Sequence, residues 1–145
     1  MKLSTRVRFG LRIMVQIAAE GEKEPVFARR IAAAQGISEP YVDQILMALR
    51  SGGLVISRRG RKGGYQLADA PENITALDVL ETIEGDLGLV ECVLDASACD
   101  RLAGCVTHKV WRQATAALKN SLSSVTLADL KQDYKKVLQA VSYVI

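Results

Sequence analysis

The sequence predicts a mainly α-helical fold with a small β-hairpin, and three observations support this prediction. Two helical segments joined by a short glycine-containing turn lie within residues 28–51. A short β-branched segment, a turn of arginine, lysine and glycine, and a second short strand follow within residues 54–67. One amphipathic stripe then extends over residues 108–123. With 145 residues, of which 49% are hydrophobic and 24% charged, the chain has the composition of one globular domain.

The first helix is predicted over about 4–20, because apolar residues recur there at helical spacing. Its stripe consists of Val7, Leu11, Met14, Val15 and Ala18. The polar segment 21–25 ends in Pro25 and predicts a loop. A short second helix is predicted over about 28–35, and Gly36 follows it at the position where a left-handed C-terminal cap is expected.

The third helix and the hairpin after it predict a winged helix-turn-helix. Ser38 is a good N-cap for this helix, which ends at Gly52. Its buried side carries Val42, Ile45, Leu46 and Leu49. The predicted strands Leu54–Ser57 and Tyr65–Leu67 flank the turn 58–64, which is almost entirely arginine, lysine and glycine. Two helices joined by a glycine turn are typical of a helix-turn-helix, and a basic-tipped hairpin directly after them is typical of a wing.

The second half of the chain is predicted to be helical on both sides of a loop. A capping box at Thr75–Asp78 opens one helix, and residues 86–107 show no clear period and predict a long loop. A long helix is predicted over about His108–Ser123. Its apolar stripe consists of Val110, Trp111, Ala114, Leu118 and Leu122. A second capping box at Thr126–Asp129 opens a helix toward Lys135, and the apolar tail after it is left unassigned.

Charge is distributed unevenly along the chain. Residues 1–67 hold 12 Lys and Arg against 5 Asp and Glu, whereas residues 68–145 hold 7 against 11. The net charge of +3 therefore conceals a basic first part and an acidic second part. This asymmetry indicates a polyanion such as double-stranded DNA as the partner of the first part. A solvated charged face, or a winged helix that binds protein, is the alternative.

Several classes of protein are not expected. The longest uninterrupted apolar run, Ile45–Leu49, is too short to span a membrane, and the N-terminus offers no apolar core of signal-peptide length. We therefore expect a cytoplasmic protein whose thiols stay reduced. The sequence contains no Ser/His/Asp set and no phosphate-binding glycine motif near a strand, so it predicts neither an enzyme nor a small-molecule substrate.

The predicted winged helix-turn-helix offers two sets of DNA contacts. A recognition helix presents the side chains of its first turns to base edges in the major groove. Here these are Ser38, Tyr41, Asp43 and Gln44. Gln44 suits adenine, and Asp43 could accept from the cytosine amine. Arginines of the wing can enter an adjacent minor groove, and the other basic groups can neutralise phosphates. The wing residues are Arg58, Arg59, Arg61 and Lys62.

The three cysteines and the single histidine form a compact pattern, C-x6-C-x5-C-x2-H. Its members are Cys92, Cys99, Cys105 and His108. Three thiolates and one imidazole can bind zinc or an iron–sulfur cluster, and spacing alone does not separate the two. The cysteines are separated by six and five residues, which is wider than the spacing usual for zinc ligands and suits a group larger than a single ion. Three free cysteines beside a surface histidine are the alternative, while a disulfide is disfavoured by the odd count.

The chain resembles the IscR-type iron–sulfur cluster-binding regulators, which belong to a bacterial winged-helix family that also includes NsrR and CymR. The resemblance extends over nearly the whole chain. It is most specific at Cys105–Trp111, where cysteine, histidine and tryptophan keep the spacing of the IscR cluster-ligand stretch. Its other parts are Met1–Thr5, Gly36–Ser38 with Tyr41 and Gln44, and Arg59–Gly60 with Gly63–Tyr65.

The resemblance implies a homodimer that binds operator DNA under the control of a [2Fe–2S] cluster. The implied cluster ligands are Cys92, Cys99, Cys105 and His108. It also implies that Arg59 enters the minor groove. We expect the long helix that His108 opens to lie at the dimer interface, with its apolar stripe forming the contact. The chain departs from the IscR pattern in a first cysteine gap one residue longer, and in Asp43 and Pro40, which replace a glutamate and a serine.

Other sensors remain open as alternatives. An NsrR-like nitric-oxide or redox-sensing repressor would hold a [4Fe–4S] cluster with a carboxylate of the first helix, but Arg8 stands at that position and arginine cannot ligate iron. A zinc-dependent or a thiol-dependent regulator is a further alternative. The predicted division is a DNA-binding domain over 1–84, a cluster-binding loop over 85–107, and a dimerisation helix with the C-terminal tail over 108–145.

Overall fold

The structure of the protein is a computed structural model that describes residues 2–144. Seven α-helices and one hairpin follow each other along the described chain, with single 3₁₀ turns between some of them. The elements are α1 (Thr5–Glu20), α2 (Ala28–Gln35), α3 (Glu39–Ser51), β1 (Val55–Arg58), β2 (Gly64–Leu67), α4 (Ala76–Glu84), α5 (Glu91–Leu94), α6 (His108–Ser123) and α7 (Leu127–Val144). This architecture confirms the predicted mainly helical fold with a hairpin wing.

Local signals in the sequence explain where the first helices begin and end. Ser4 caps α1, because its Oγ accepts a hydrogen bond from the Val7 N–H at 3.1 Å. Gly36 ends α2 in the left-handed conformation at φ 67°, which glycine adopts without strain. Thr75 and Asp78 form the predicted capping box at the start of α4.

The wing hairpin is tied to the loop before α2. Strands β1 and β2 pair antiparallel, with Val55 opposite Leu67 and Arg58 opposite Gly64. The backbones of Val26 and Tyr65 exchange two hydrogen bonds, at 2.9 and 2.8 Å. Gly64 permits this approach, because a Cβ at that position would lie 2.6 Å from the Val26 carbonyl oxygen. The hairpin is therefore fixed to the helical body at its base.

One hydrophobic core joins the first four helices, the hairpin and the start of α7. Its most buried large side chains include Ile13, Ile31, Leu46 and Leu127. The helix α7 packs on α1 and also begins beside α4, where the Leu127 N–H donates to the Ile74 carbonyl at 2.8 Å. Within the described chain, no helix is long and apolar enough to cross a membrane.

Two parts of the chain are more helical than the sequence pattern predicts. The predicted loop over 86–107 contains α5 and two 3₁₀ turns. A side-chain cap closes one of the 3₁₀ turns, since Asp95 Oδ1 accepts from the Ser97 N–H at 2.8 Å. The unassigned tail continues α7 as far as Val144. Met1 and Ile145, which belong to the family-like start and the predicted tail, lie outside the described residues.

Candidate DNA interface and cysteine loop

The predicted base-reading residues at the start of α3 differ in how far the fold leaves their side chains free. Asp43 and Gln44 are exposed. Ser38 Oγ accepts the Tyr41 backbone N–H at 3.3 Å, so the Ser38 side chain caps the helix. The half-buried ring of Tyr41 meets Phe9 edge-on, with 6.1 Å between ring centroids. The structure therefore leaves Asp43 and Gln44 free to reach outward, whereas Ser38 and Tyr41 also hold the helix in place.

Two residues that the sequence reasoning missed lie beside these contacts. Met47 is 59% exposed and lies one turn beyond Asp43 on α3. Arg29, at the start of α2, lies over the Phe27 ring at 5.0 Å and helps to line a cavity of about 360 Å³ together with Asp43 and Arg58. The helical spacing of α3 was a usable signal for Met47, because this residue lies four residues after Asp43 and outside the predicted buried stripe. No local signal reveals Arg29, because it joins this surface only when α2, α3 and the hairpin come together in the fold.

The wing is anchored at its base and free at its tip. Gln66 Nε2 donates to the Gly21 carbonyl at 2.9 Å, and Arg58 Nε donates to Gln66 Oε1 at 2.8 Å. Arg58 is therefore held against the hairpin. The tip residues are exposed and form no ion pair with any described residue; they are Arg59, Arg61 and Lys62. Exposed cations without ion-pair partners among the described residues suit contacts to phosphates or to a narrow groove.

Residues 86–107, here called the cysteine loop, bring part of the predicted ligand set together. Cys92 Sγ in α5 lies 3.6 Å from Nδ1 of His108, the first residue of α6. All three cysteines are free and half-buried. Cys99 and Cys105 do not join this pair, since within residues 2–144 no three His, Cys, Asp or Glu side chains are grouped closely enough to hold a metal ion.

Cys105 lies directly before α6 in a polar setting. The Thr107 hydroxyl lies 3.2 Å from its Sγ. Hydrogen bonding to Thr107, together with the backbone N–H groups of His108 and Thr107, holds the pKa of the Cys105 thiol below its ordinary value. This environment favours the thiolate, the form that binds metals and reacts with oxidants.

The cysteine loop is tethered to α6 and α4 near its start. The Leu89 N–H donates to Oγ1 of the buried Thr115 at 3.3 Å. Lys119 forms ion pairs with Asp86 and, at 2.9 Å, with Glu81 of α4. These carboxylates raise the pKa of Lys119, and Lys119 lowers the pKa of Asp86. The position of the loop is therefore linked to the position of α6.

The predicted dimerisation stripe of α6 has little cover within the chain. Val110 is 53% exposed and Trp111 is 40% exposed. The remaining stripe residues, Ala114, Leu118 and Leu122, are half-buried. An amphipathic helix whose apolar stripe remains partly accessible to solvent, most of all at its first turn, is typical of an interface helix.

The family of the chain follows from comparison with known proteins. Residues 3–133 match the family model Rrf2, described as "Iron-dependent Transcriptional regulator". The chain belongs to the Rrf2 family. It is 41% identical over 133 residues to protein rrf2 of Nitratidesulfovibrio vulgaris. The alignment covers 92% of this chain and 89% of the relative.

Two solved structures relate the Rrf2 fold to this chain. CymR, the global cysteine regulator of B. subtilis, superposes with a TM-score of 0.77 at 35% identity, covering 91% of this chain and 97% of CymR. IscR of T. potens gives a TM-score of 0.76 at 34% identity, covering 94% and 90%. These relatives are winged-helix transcriptional regulators, so this Rrf2 protein is a DNA-binding regulator and not an enzyme. Relatives of the CymR type and of the IscR type match the chain about equally well, so the comparisons do not assign it to the IscR type.

Proposed function

We propose that this Rrf2-family regulator is a homodimer whose operator binding is controlled by a [2Fe–2S] cluster held by the cysteine loop and α6. The proposed ligands are Cys92, Cys99, Cys105 and His108. The observation that carries the proposal is the 3.6 Å approach of Cys92 Sγ to His108 Nδ1 across 16 residues of chain. Two of the four expected donors already face each other, although they belong to different helices.

The donor set fits such a cluster. Iron–sulfur clusters are held by cysteine thiolates, and imidazole can replace thiolate on one iron. The three thiols here are free and partly accessible, and all lie within 14 residues. Bound there, a cluster would supply a redox-active group whose presence depends on the supply of iron and sulfide. The chain's own contribution is a set of donors in a loop that is tethered to α6 at Leu89 and ends at His108, the first residue of α6.

The position of His108 supports a link between the cysteine loop and DNA binding. His108 opens α6, and Val110 and Trp111 follow within its first turn. Ordering the loop would fix the start of α6, and with it the stripe proposed to pair two copies. The half-sites of a dimeric helix-turn-helix protein lie about 34–36 Å apart on DNA. A change in dimer geometry would therefore alter how two α3 helices fit successive major grooves.

The contacts proposed for DNA are those of α3 and the wing. Asp43 and Gln44, both exposed, would read base edges. Arg59 would enter the minor groove, and Arg61 and Lys62 would neutralise phosphates. Arg58, held by Gln66, would contact the backbone from a fixed position.

The first experiment compares the visible absorption of wild type and His108→Ala, both purified without oxygen. We expect the wild type to be red-brown. The spectrum should change in the variant, because the iron loses its imidazole ligand. The matched control is Lys109→Ala, an exposed neighbour that is not a proposed ligand and should leave the spectrum unchanged. A colourless wild type that still binds DNA would contradict the cluster and leave the regulator intact.

The second experiment concerns the lability of the proposed cluster. A histidine ligand must be deprotonated to bind, and we expect it to be the weakest link of the four. The cluster of His108→Cys should therefore survive longer in air than that of wild type. Equal half-lives for the two proteins, followed by the decay of visible absorption, would contradict this role of His108.

A thiol-based regulator is the second candidate. It is favoured by three free cysteines within one loop and by the likeness to CymR, a global cysteine regulator. In that case metal-free protein would change its DNA affinity on peroxide treatment, and Cys105→Ser would abolish the response. A response that needs iron, and that chelation removes, would favour the cluster instead.

A further inference from the structure

We propose that Met47 is a further specificity-determining residue of α3, and that its side chain packs on the C5-methyl group of a thymine in the major groove. This inference rests on the proposed contacts of Asp43 and Gln44 with base edges, and it adds an apolar contact to their polar ones. It concerns the operator sequence that the regulator selects, and it is independent of the cysteine loop and its proposed cluster.

The position of Met47 around α3 places it among the proposed base-reading residues. One side of this helix is buried, and its buried residues are Val42, Ile45, Leu46 and Leu49. At about 100° per residue, Met47 lies between Asp43 and Gln44 around the helix axis, about 40° from the first and about 60° from the second. The three residues therefore share the exposed face of α3, and Met47 lies about one turn closer to its C-terminal end.

Met47 contributes little to the packing of the protein itself. It is 59% exposed, and it is the one exposed large apolar residue of α3, a helix that lies wholly within the described residues. Its neighbours on the exposed face are polar, since Asp43 and Gln44 precede it and Arg50 follows three residues later. The centre of a protein–protein interface contains several apolar side chains. A single apolar group among polar ones instead matches the single methyl group that thymine presents in the major groove.

The exposed face of α3 is tied to the wing at its C-terminal end. Arg50 Nη1 donates to the Ser57 hydroxyl of β1 at 3.2 Å. The recognition helix and the wing would therefore approach the duplex together. Met47 lies between Asp43 and Arg50 along the helix, so it belongs to the surface that this approach brings against the groove.

The spacing along α3 limits which base pair Met47 can contact. Four residues of α-helix advance about 6 Å, and successive base pairs lie about 3.4 Å apart. The thymine is therefore expected within two base pairs of the base that Asp43 contacts. Methionine suits this contact, because its unbranched and polarisable side chain adapts to small apolar groups.

The test selects duplexes from a random library with the full-length wild type, and then replaces each thymine of a selected duplex in turn by deoxyuracil. Deoxyuracil keeps the base pair and removes only the C5-methyl group. At one thymine of a half-site, wild-type binding measured by fluorescence anisotropy should weaken about three- to fivefold. Met47→Ala should bind the parent duplex at least about threefold more weakly, and it should not distinguish thymine from deoxyuracil at that position.

Two further variants serve as controls. Met47→Leu keeps a large apolar side chain and should still distinguish thymine from deoxyuracil. Val137→Ala shortens an apolar side chain on α7 that has the same exposed fraction as Met47, and it should leave the ratio of the two affinities unchanged. All of these substitutions lie at exposed helical positions, so the protein should remain folded.

Two results would overturn the role of Met47. One is that wild type and Met47→Ala respond alike to deoxyuracil at every thymine. The other is an equal loss of affinity of Met47→Ala for all duplexes, because that would indicate a contact that does not depend on the base.

Selection with Asp43→Ala and Gln44→Ala separates this inference from the proposed contacts on which it rests. Altered base preferences in these variants, without a response to deoxyuracil that depends on Met47, would overturn the role of Met47 alone. Wild-type base preferences in both variants would overturn the proposed base contacts of α3, and the role of Met47 with them.

Discussion

At the scale of single residues, the DNA-facing side chains divide into those that the protein holds and those that it leaves free. Ser38 and Tyr41 contribute to the cap and packing of α3, and Arg58 is bonded to Gln66. Asp43 and Arg59 are exposed. Held groups can position the protein on DNA, whereas free ones can adapt to base edges or to a narrow groove. The cap at Ser38 could be predicted from the sequence. The contact of Tyr41 with Phe9 could not, because the two residues are remote along the chain, and the bond from Arg58 to Gln66 requires the paired hairpin.

Arg59→Ala is expected to weaken operator binding about tenfold and to reduce the slope of log affinity against log salt by about one. The reason is that one cation without an intramolecular partner leaves the wing tip. Binding measured by fluorescence anisotropy over a salt series tests this. Arg112→Ala, on α6, is the control for a lost positive charge. Unchanged affinity at every salt concentration would contradict a wing contact.

At the scale of elements, the helices that local signals define are the ones that the sequence predicts well. Periodic apolar residues and caps such as Ser4 and Gly36 act within a few residues, so α1 to α4 and α6 were predictable. The single turns in the cysteine loop are too short to show a hydrophobic period, and only one of them has a side-chain cap, at Asp95. The end of α7 is exposed on all sides and so has no buried stripe to reveal it. The compact cysteine and histidine pattern predicted that Cys92 and His108 could share a site, whereas their roles as ligands of a [2Fe–2S] cluster were implied only by the resemblance.

Gly64→Ala tests the attachment of the wing to the body. A Cβ there would meet the Val26 carbonyl oxygen at 2.6 Å, and the φ of +125° disfavours any side chain. We expect a loss of about 2 kcal/mol in the free energy of unfolding. Gly60→Ala is the control, since φ there is +103° but a Cβ would meet open space. Urea unfolding of both variants measures the difference, and equal losses would mean that backbone strain alone matters.

The cap of α7 gives a pH-dependent contribution to stability. The backbone N–H and hydroxyl of Thr126 donate to Asp129 Oδ2 at 2.9 and 2.8 Å, and these bonds hold the pKa of Asp129 below its usual value. A lowered carboxyl pKa stabilises the folded state above the unfolded pKa, and this stabilisation is lost as pH falls through the folded pKa.

Asp129→Asn should therefore be less stable than wild type at pH 7, and the difference should shrink as pH falls from about 5 downward. Thermal unfolding of both proteins across this range is the measurement. Asp133→Asn, an exposed change on the same helix outside the cap, is the control. A difference that is constant with pH would contradict the role of the Asp129 charge.

At the scale of the whole molecule, the exposed stripe of α6 predicts that two copies pair. Val110→Asp places a charge on a residue that is 53% exposed, so the folded protomer should tolerate it. The dimer should weaken by more than about tenfold, because the charge would be buried in the interface. Sedimentation equilibrium measures the association. Asn120→Asp, on an exposed position of α6, is the matched control, and equal association of both variants would contradict the interface.

The packing of α7 has a consequence for how such regulators can be recombined. Leu127 is fully buried in the same core as Ile13 and Leu46, and Lys131 pairs with Glu22 in the loop beside the wing base. The core of the helix-turn-helix and wing, here called the DNA reader, therefore includes residues from the last helix of the chain. A chimaera that exchanged everything after residue 84 between two relatives would replace part of the reader as well as the sensor. A chimaera that exchanged only the sensor would need to keep residues 127–134 with the DNA reader and replace residues 85–126.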